Sequence, residues 1–374
     1  MMKTICFLIF ALVCRIGVTQ AQMKALSGRT ITTAAMDRFV RQQMDSLKIP
    51  GMSIAVINGG RIVYHRVLGL ANTTTKEKVD SQSIFEACSL SKTVFTYFVM
   101  RLVEKGELSL DTPLYRYMPY RDIAYDERYK LITARMVLSH TSGLPNWRWV
   151  DKVDSSRHIK YGDLYLNFTP GTRFGYSGEG YHYLAHVLAF LNNKTLNTLE
   201  PLYEKEVAVP LGMKHSYFAQ TRWIVEHKVI GYGDDGKFIY NPWPSGFFNP
   251  DPLDFGGADD LHSDAMDYGA FLCALLNGKG LSKESITEML RPQVQVPADN
   301  NEYLEDGVTA WGLGIALRPT PYGQVYLHTG NNPGTTSGFM IDMTRKIGFV
   351  FFLNCEKGDV FQQTLREYLT EGQR

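Results

Sequence analysis

The sequence contains little that would indicate a disulfide-stabilised, nucleic-acid-binding or membrane-spanning protein. Only five of its 374 residues are cysteine, and 39 lysines and arginines nearly balance 38 aspartates and glutamates. Without a basic stripe, nucleic acid and anionic membrane surfaces are not expected partners. There is no internal repeat, and the N-terminal apolar run is too short to span a bilayer, so we expect no transmembrane anchor. The length fits one large domain or two intimate subdomains.

The first 21 residues have the features of a secretory signal peptide. Lys3 provides the positive start, residues 5–13 are apolar, and residues 19–21 (TQA) are typical of a cleavage site. We therefore predict that the mature chain begins at Gln22 and is secreted or periplasmic. A lipoprotein is the less favoured alternative, because Cys14 follows a valine rather than a small residue.

Residues that commonly bind metals are present, but their patterns do not match known sites. The cysteines left after cleavage, Cys88, Cys273 and Cys355, are odd in number and widely spaced. Glu179, His182 and His186 share a face of a predicted helix without an H-E-x-x-H motif. The aspartates at positions 251, 254, 259 and 260 lack the order of an EF-hand, which favours a solvated acidic loop. We therefore predict no metal and no cofactor.

Apolar periodicity predicts strands towards both ends of the chain and helices between them. A helix at 30–47 precedes two strands, 52–57 and 61–70, joined by Asn58-Gly59-Gly60, which favours a tight hairpin. Further helices are predicted at 90–105, 133–139, 180–191, 196–208, 264–277, 282–290 and 360–369, and further strands at 312–317, 324–327, 337–342 and 348–354.

This order predicts an α/β protein of the α+β type. One antiparallel sheet would be built from both chain ends and covered by the terminal helices, with the middle helices inserted as a separate lobe. We assign the sheet lobe to about residues 30–85 and 307–371, and the mainly helical lobe to about residues 86–306. Both would belong to a single domain spanning residues 22–374.

Ser89 and Lys92 form the only S-x-x-K pair in the chain and lie at the start of a predicted helix. At this spacing their side chains project to the same side, and the helix N-terminus favours a deprotonated oxygen. Burial would lower the pKa of Lys92 so that it can accept a proton. From these two residues alone, an N-cap serine followed by a solvated lysine is the alternative. A thiol nucleophile at Cys88 is disfavoured, because free cysteine is usually a small buried residue.

Six ordered motifs together resemble the serine hydrolases related to class C β-lactamases and penicillin-binding DD-peptidases. They cover nearly all of the mature chain and read ACSLSKT, SHTSGLP, PGTRFGYSGEGY, PLGM, GGADDLHSDAMDY and HTGNNPGTTSG. The resemblance implies a β-lactamase/DD-peptidase-like fold. It also implies that His140, in the second motif, is a structural loop histidine rather than a general base.

The resemblance implies roles for particular residues. Ser89 matches the acylated serine, Lys92 its lysine partner, and Tyr176 the tyrosine that shares the base role and protonates the leaving group. The backbone N–H groups of Ser89 and Asn331 match the oxyanion hole. His328-Thr329-Gly330 matches the substrate-binding K-T-G motif on a sheet-edge strand. Two cations flanking Tyr176 would lower its pKa and make it a usable base.

The sequence departs from the family pattern at two positions. Gly178 replaces the asparagine whose side-chain amide holds a peptide or β-lactam carbonyl. His328 replaces the lysine of the third motif, which weakens binding of a substrate carboxylate at neutral pH. Both changes favour esters over β-lactams and peptides.

The sequence therefore predicts a secreted serine hydrolase that forms an acyl-enzyme on Ser89. Its substrate would be a small molecule or peptide carrying an ester or a D-amino-acid or peptide amide. The alternatives are a β-lactamase or DD-carboxypeptidase proper, and a non-catalytic member that binds peptidoglycan or a partner protein. An α/β-hydrolase is disfavoured because no G-x-S-x-G is present. Several loop aromatics could line a substrate mouth or pack half-buried: Trp147, Trp149, Trp243, Phe247 and Phe248.

Overall fold

The computed structural model describes residues 22–149, 159–239 and 254–371. The predicted signal peptide with Cys14, the aromatic residues Trp243, Phe247 and Phe248, and Asp251 lie outside these residues. None of the helices within the described ranges is both long enough and apolar enough to cross a membrane.

Strands occur at both ends of the described chain and are few in its middle. They are β1 (Gln22–Lys24), β2 (Thr30–Thr32), β3 (Gly51–Asn58), β4 (Arg61–Asn72), β5 (Glu77–Lys78), β6 (Phe85–Glu86), β7 (His262–Ser263), β8 (Val294–Gln295), β9 (Ala310–Trp311), β10 (Ala316–Thr320), β11 (Gly323–Asn332), β12 (Thr335–Asp342) and β13 (Ile347–Leu353).

Helices are the main regular elements in the middle of the described chain, and two more flank the sheet. They are α1 (Thr33–Leu47), α2 (Ser91–Glu104), α3 (Ala134–Leu138), α4 (Glu179–Leu191), α5 (Glu200–Tyr203), α6 (Val209–Leu211), α7 (Arg222–His227), α8 (Ala265–Leu276), α9 (Lys283–Leu290), α10 (Asn301–Asp306) and α11 (Gly358–Glu371).

The main sheet joins the two ends of the chain. Its nine strands are ordered β5-β4-β3-β13-β12-β11-β10-β9-β8, and every neighbouring pair is antiparallel. Strand β3 pairs directly with β13, with Ile54 opposite Phe351. Gly59 and Gly60 connect β3 to β4 with φ of 56° and 69°, which glycine adopts without strain. The predicted fold class and the hairpin are thereby confirmed.

Two apolar cores lie on opposite faces of this sheet. One packs β3 and β13 against α1 and α11, through residues such as Met36, Val40 and Leu365. The other packs the sheet against the helical lobe and surrounds α2. Helix α2 is buried on all sides from Ser91 to Met100, whereas the apolar periodicity of this segment indicates a helix with a single buried face. A helix buried on every side is typical of the centre of a large domain.

Most predicted elements are present, with shifted ends. The strand predicted at 312–317 is instead a turn followed by β10, because Gly314 has a φ of 63° and the Gly312 N–H donates to Ile315. The helix predicted at 196–208 divides into a 3₁₀ turn, α5 and a π-helical turn at residues 204–208. Helices α7 and α10 were not predicted, and both are only six residues long.

Candidate active site

Ser89 lies in a 3₁₀ turn, Cys88–Leu90, that connects β6 to α2. Two hydrogen bonds fix the turn and the start of α2. The Leu261 N–H donates to Ser91 Oγ at 3.0 Å, and the Tyr268 hydroxyl donates to the Leu90 carbonyl at 2.9 Å. Cys88 has a φ of 50°, a conformation that non-glycine residues seldom adopt and that the surroundings must enforce. Burial raises the pKa of the Cys88 thiol far above its usual range, which argues against a thiolate nucleophile.

Lys92 is 1% exposed and directs its ammonium group at the serine. Its Nζ donates to Ser89 Oγ at 3.2 Å and to the Ala258 carbonyl at 2.9 Å. Burial lowers the pKa of Lys92 to about 8, although the nearby negative charges of Asp259 and Glu302 oppose this shift. The alternative of a solvated lysine is therefore wrong, and the lowered pKa leaves a minority of the molecules with a neutral amine at pH 7.

Tyr176 is, after Lys92, the second side chain that contacts Ser89. It precedes α4, its ring centroid lies 4.8 Å from Lys92 Nζ, and its hydroxyl forms a hydrogen bond with Ser89. The ring stacks on His140 at 4.2 Å, while His140 Nδ1 accepts the Ser177 N–H at 3.0 Å. This contact gives His140 a structural role in fixing the tyrosine loop.

The pKa of Tyr176 differs from the expectation of a lowered value. Burial raises it well above its ordinary range, and the negative charge of Glu302 adds to the effect. The hydrogen bond with Ser89 opposes the shift without reversing it. Tyr176 therefore keeps its proton at neutral pH, which suits a proton donor rather than an initial base.

His328 does not supply the second cation. Burial, together with the charge of Lys92, lowers the pKa of His328 to about 3. Its Nδ1 donates to the Thr329 carbonyl at 2.7 Å, so the neutral ring presents Nε2 towards its neighbours. The ring of Trp311 lies 5.4 Å away and that of Tyr176 lies 6.2 Å away. At neutral pH this position offers no positive charge to a substrate.

The strand β11 carries His328, Thr329 and Gly330 past the end of its neighbour. Its pairing with β10 ends at Leu327, so the following residues face the turn that contains Ser89. A Cβ at Gly330 would lie 2.5 Å from Ser337 Oγ and 2.9 Å from the Ala87 carbonyl. The glycine is thus required by close packing on the Ser89 turn.

Glu86, on β6, forms a hydrogen bond with the end of β11. This buried carboxylate forms an ion pair with Lys228 at 2.5 Å and accepts from Asn332 Nδ2 at 2.8 Å. Burial alone would raise its pKa, but the charge of Lys228 and the hydrogen bonds hold the pKa at about 2. The contact fixes Asn332, the residue after the predicted oxyanion-hole donor Asn331.

These groups open into a cleft of about 560 Å³ between the sheet edge and the helical lobe. It is lined by Ser89, Asn146, Tyr176, Asp299, Asn300, Asn301, Glu302, His328, Thr329 and Asn331. None of the described residues that line it is an arginine or a lysine. The sequence did not indicate Asn146 or the α10 segment, since neither has a local signal beyond the Asn300 side chain that caps α10.

Asn146 lies beside Gly178, the position at which the family pattern has an asparagine. Its Oδ1 accepts the Gly178 N–H at 3.0 Å, and its carbonyl accepts the Glu179 N–H at 3.1 Å. A Cβ at Gly178 would lie 2.7 Å from two ring carbons of Trp147. Position 178 itself has no side-chain amide, as the sequence shows, but an asparagine from another loop lines the cleft.

The residues considered as metal ligands have other partners. Glu179 receives hydrogen bonds from the Arg148 guanidinium at 3.0 and 2.9 Å, and His182 and His186 contact each other, with 3.2 Å between their Nε2 atoms. No cluster of three or more metal-binding side chains exists among residues 22–149, 159–239 and 254–371. Asp259 and Asp260 are 5% and 0% exposed, so the solvated acidic loop is wrong for both.

A serine–lysine pair at the junction of an antiparallel sheet and a helical lobe is the arrangement of the penicillin-binding class of serine hydrolases. The sequence model of the Beta-lactamase family matches residues 36–373, and the chain belongs to this family. The resemblance inferred from the six motifs is thereby confirmed.

The chain is similar to several individual members. Penicillin-binding protein 4* of Bacillus subtilis (strain 168) is 24% identical over 338 residues, covering 84% of this chain and 70% of that protein. Protein flp of Staphylococcus aureus (strain MW2) is 24% identical over 209 residues, which are 54% of this chain and only 41% of that relative's length. The solved structure of EstCE1, a hydrolase with promiscuous acyltransferase activity, is similar in fold, with a TM-score of 0.72 at 21% identity, covering 90% of this chain and 98% of that one.

Proposed function

We propose that this protein is a secreted serine hydrolase that forms an acyl-enzyme on Ser89 and hydrolyses a carboxylic ester, with a D-amino-acid or peptide amide as the second candidate. The observation that carries the proposal is the contact of Lys92 Nζ with Ser89 Oγ at 3.2 Å, made by a buried amine whose pKa is about 8. A poor nucleophile is activated by an adjacent base of this kind. Secretion is inferred from the N-terminal leader alone.

Acylation begins with proton transfer from Ser89 to Lys92. The neutral amine keeps an N–H for the Ala258 carbonyl and accepts the serine proton with its lone pair. The serine oxygen bonds to the substrate carbonyl carbon, and the backbone N–H groups of Ser89 and Asn331, which both line the cleft, stabilise the oxyanion.

The leaving group departs with a proton from Tyr176. The tyrosine hydroxyl protonates the departing alkoxide as the carbon–oxygen bond breaks, and Tyr176 recovers a proton from the Lys92 ammonium group. Water then attacks the acyl-enzyme and passes a proton back to the same relay. Ser89 leaves the carbonyl carbon, recovers its proton and releases the acid.

The charges of the cleft favour a substrate without a carboxylate. Asp299 and Glu302 line it, although burial raises the pKa of Glu302 to about 7 and leaves it only partly ionised at neutral pH. His328 is neutral, and none of the described lining residues is arginine or lysine. A carboxylate such as that of a β-lactam or of a peptide C-terminus would meet like charge without a matched cation. This supports an ester hydrolase over a β-lactamase or DD-carboxypeptidase.

The proposal is tested with a fluorophosphonate and intact-protein mass spectrometry. We expect one adduct per chain, on Ser89, and Ser89-dependent hydrolysis of a p-nitrophenyl ester that exceeds hydrolysis of a chromogenic cephalosporin. The Ser89→Ala variant should give neither adduct nor turnover, while the exposed control Ser81→Ala should give both. A wild-type protein without adduct or hydrolysis would contradict the proposal and favour a non-catalytic, ligand-binding member of the family.

A further inference from the structure

We propose that Glu302 binds a positive charge in the alcohol part of the substrate, so that the preferred substrates are carboxylic esters of amino alcohols. This inference rests on the proposed acyl-enzyme function and names the substrate class of the same site. It is carried by one carboxylate on α10, which lines the cleft together with Ser89 and Tyr176. That carboxylate forms no ion pair and accepts no hydrogen bond from any of the described residues.

The charge of Glu302 acts on both side chains that contact Ser89. It raises the pKa of Lys92, and among the charges that raise the pKa of Tyr176 it is the largest. Charges act this strongly only over short distances, so the carboxylate faces the catalytic centre. Lys92 does not neutralise it, because the ammonium group donates to Ser89 Oγ and to the Ala258 carbonyl instead.

The backbone of Glu302 is fixed on both sides. Its N–H donates to Asn300 Oδ1 at 3.0 Å, and its carbonyl accepts the Val308 N–H at 3.1 Å. A side chain on a fixed backbone loses less conformational entropy when it pairs with a ligand. The carboxylate is therefore held ready for a cation in the cleft.

The surroundings of Glu302 lack a matching positive charge. Burial and two like charges raise its pKa to about 7, and only the charge of Lys92 opposes this shift. The titratable groups around it are Lys92 on α2, Tyr176 before α4, Asp299 before α10, Glu305 and Asp306 on α10, and neutral His328 on β11. Carboxylates removed from water are normally paired, and a substrate cation would supply the missing partner.

Tyr176 determines which part of the substrate would carry this cation. In the proposed mechanism its hydroxyl protonates the departing alkoxide, so the alcohol part of the ester lies next to it. The carbonyl oxygen lies instead at the backbone N–H groups of Ser89 and Asn331. A positive charge close to the ester oxygen, on the alcohol side, would therefore meet the Glu302 carboxylate.

A matched pair of esters isolates the effect of this charge. Choline butanoate carries a trimethylammonium group where 3,3-dimethylbutyl butanoate carries a tert-butyl group of the same shape, and both release the same acid, which is titrated at constant pH. The readout is the ratio of their kcat/KM values, cationic over neutral, after subtraction of the rate measured with Ser89→Ala. The inherent reactivities of the two esters are the same for every variant, so they cancel when ratios are compared.

Three substitutions separate the charge of Glu302 from other effects. Glu302→Gln keeps the size of the side chain and removes its charge, and it should lower the ratio about tenfold at pH 8, the effect of one ion pair in a partly hydrated cleft. Asp299→Asn, at an exposed position, should lower it only about twofold. The matched control Glu305→Gln removes an exposed carboxylate of the same helix that does not line the cleft, and should leave the ratio within about twofold of wild type at pH 8.

The ratio should also depend on pH. With a pKa of about 7, Glu302 is ionised in about one molecule in ten at pH 6 and in about nine in ten at pH 8. A tenfold effect of the ionised form therefore makes the wild-type ratio rise about fivefold between these pH values, while that of Glu302→Gln should stay constant. Ionisation of Lys92 changes the hydrolysis of both esters equally and cancels in the ratio.

The outcomes distinguish this inference from the function on which it rests. A Glu302→Gln variant with the wild-type ratio at pH 8, or one that slows both esters equally, would overturn the inference. A rise of the ratio with pH that persists in Glu302→Gln would assign the effect to another group and overturn it as well. In each case, Ser89-dependent hydrolysis of the neutral ester leaves the proposed function standing. If the wild type hydrolyses neither ester, the inference fails, and the fluorophosphonate adduct on Ser89 decides separately on the proposed function.

Discussion

Lys92 is predicted to set the pH dependence of the reaction. Burial lowers its pKa to about 8, and only the neutral amine can accept the proton of Ser89. With this pKa, about one molecule in ten carries the neutral amine at pH 7 and about nine in ten at pH 9. We therefore expect kcat/KM for a p-nitrophenyl ester to rise about tenfold between these two pH values, with a midpoint near 8.

The assay requires a blank at each pH, because p-nitrophenyl esters hydrolyse spontaneously in alkali. The Ser89→Ala variant provides it. Two further variants test the cause of the profile. Lys92→Arg should lose nearly all activity, since guanidinium stays protonated. Asp259→Asn should move the midpoint to lower pH, because the charge of Asp259 raises the pKa of Lys92. The control Lys283→Arg, at an exposed position on α9, should match the wild type.

Two results would refute this reasoning. A profile that is flat between pH 7 and pH 9 would show that no group with a pKa near 8 limits the reaction. An arginine at position 92 that retains more than about a tenth of the wild-type activity would show that the lysine acts only as a fixed positive charge. The base would then have to be sought elsewhere, with Tyr176 as the remaining candidate in contact with Ser89.

Two other predictions concern stability. Gly178→Ala should lower the free energy of unfolding, measured in urea, by about 1 to 3 kcal/mol, because the new Cβ clashes with the Trp147 ring. In a chain that also carries Trp147→Ala, the same Gly178→Ala change should destabilise the protein less. If the effects of the two substitutions simply add, the clash is contradicted. The pKa of Glu86 is about 2 in the folded protein, against an ordinary value of 4.5. The ionised carboxylate therefore stabilises the fold by about 3 kcal/mol above pH 4.5, and this stabilisation is lost as the pH falls towards 2. Denaturation between pH 5 and pH 3 should therefore depend less on pH in Glu86→Gln, and an unchanged slope would exclude Glu86 as the cause.

Features set by neighbouring residues could be predicted from the sequence, and features set by distant contacts could not. The β3–β4 hairpin depends on Gly59 and Gly60, and the start of α2 on residues close to Ser89, so both were predicted. The turn at Gly314 depends on its packing against Thr96 of α2, and the predicted strand at 312–317 was misplaced.

The same distinction applies to the candidate site. The motifs predicted which side chains would meet, and the structure brings Ser89, Lys92 and Tyr176 together. Their protonation could not be predicted, because the pKa values of Tyr176 and His328 depend on burial by segments far away in sequence. The position of Asn146 in the cleft also depends on a contact across 32 residues, with the N–H of Gly178.

The pairing of β3 with β13 constrains how the protein can fold after synthesis. Ile54 lies opposite Phe351, so the centre of the sheet forms only once nearly the whole chain is available. Pairings between such distant residues are slow, because a long loop must close before any contact compensates for it. The edge of β11 beside Ser89 belongs to the late part of the chain as well. A ribosome-bound chain therefore contains Ser89 before its sheet edge has formed, and activity should emerge only after the last strand has been released.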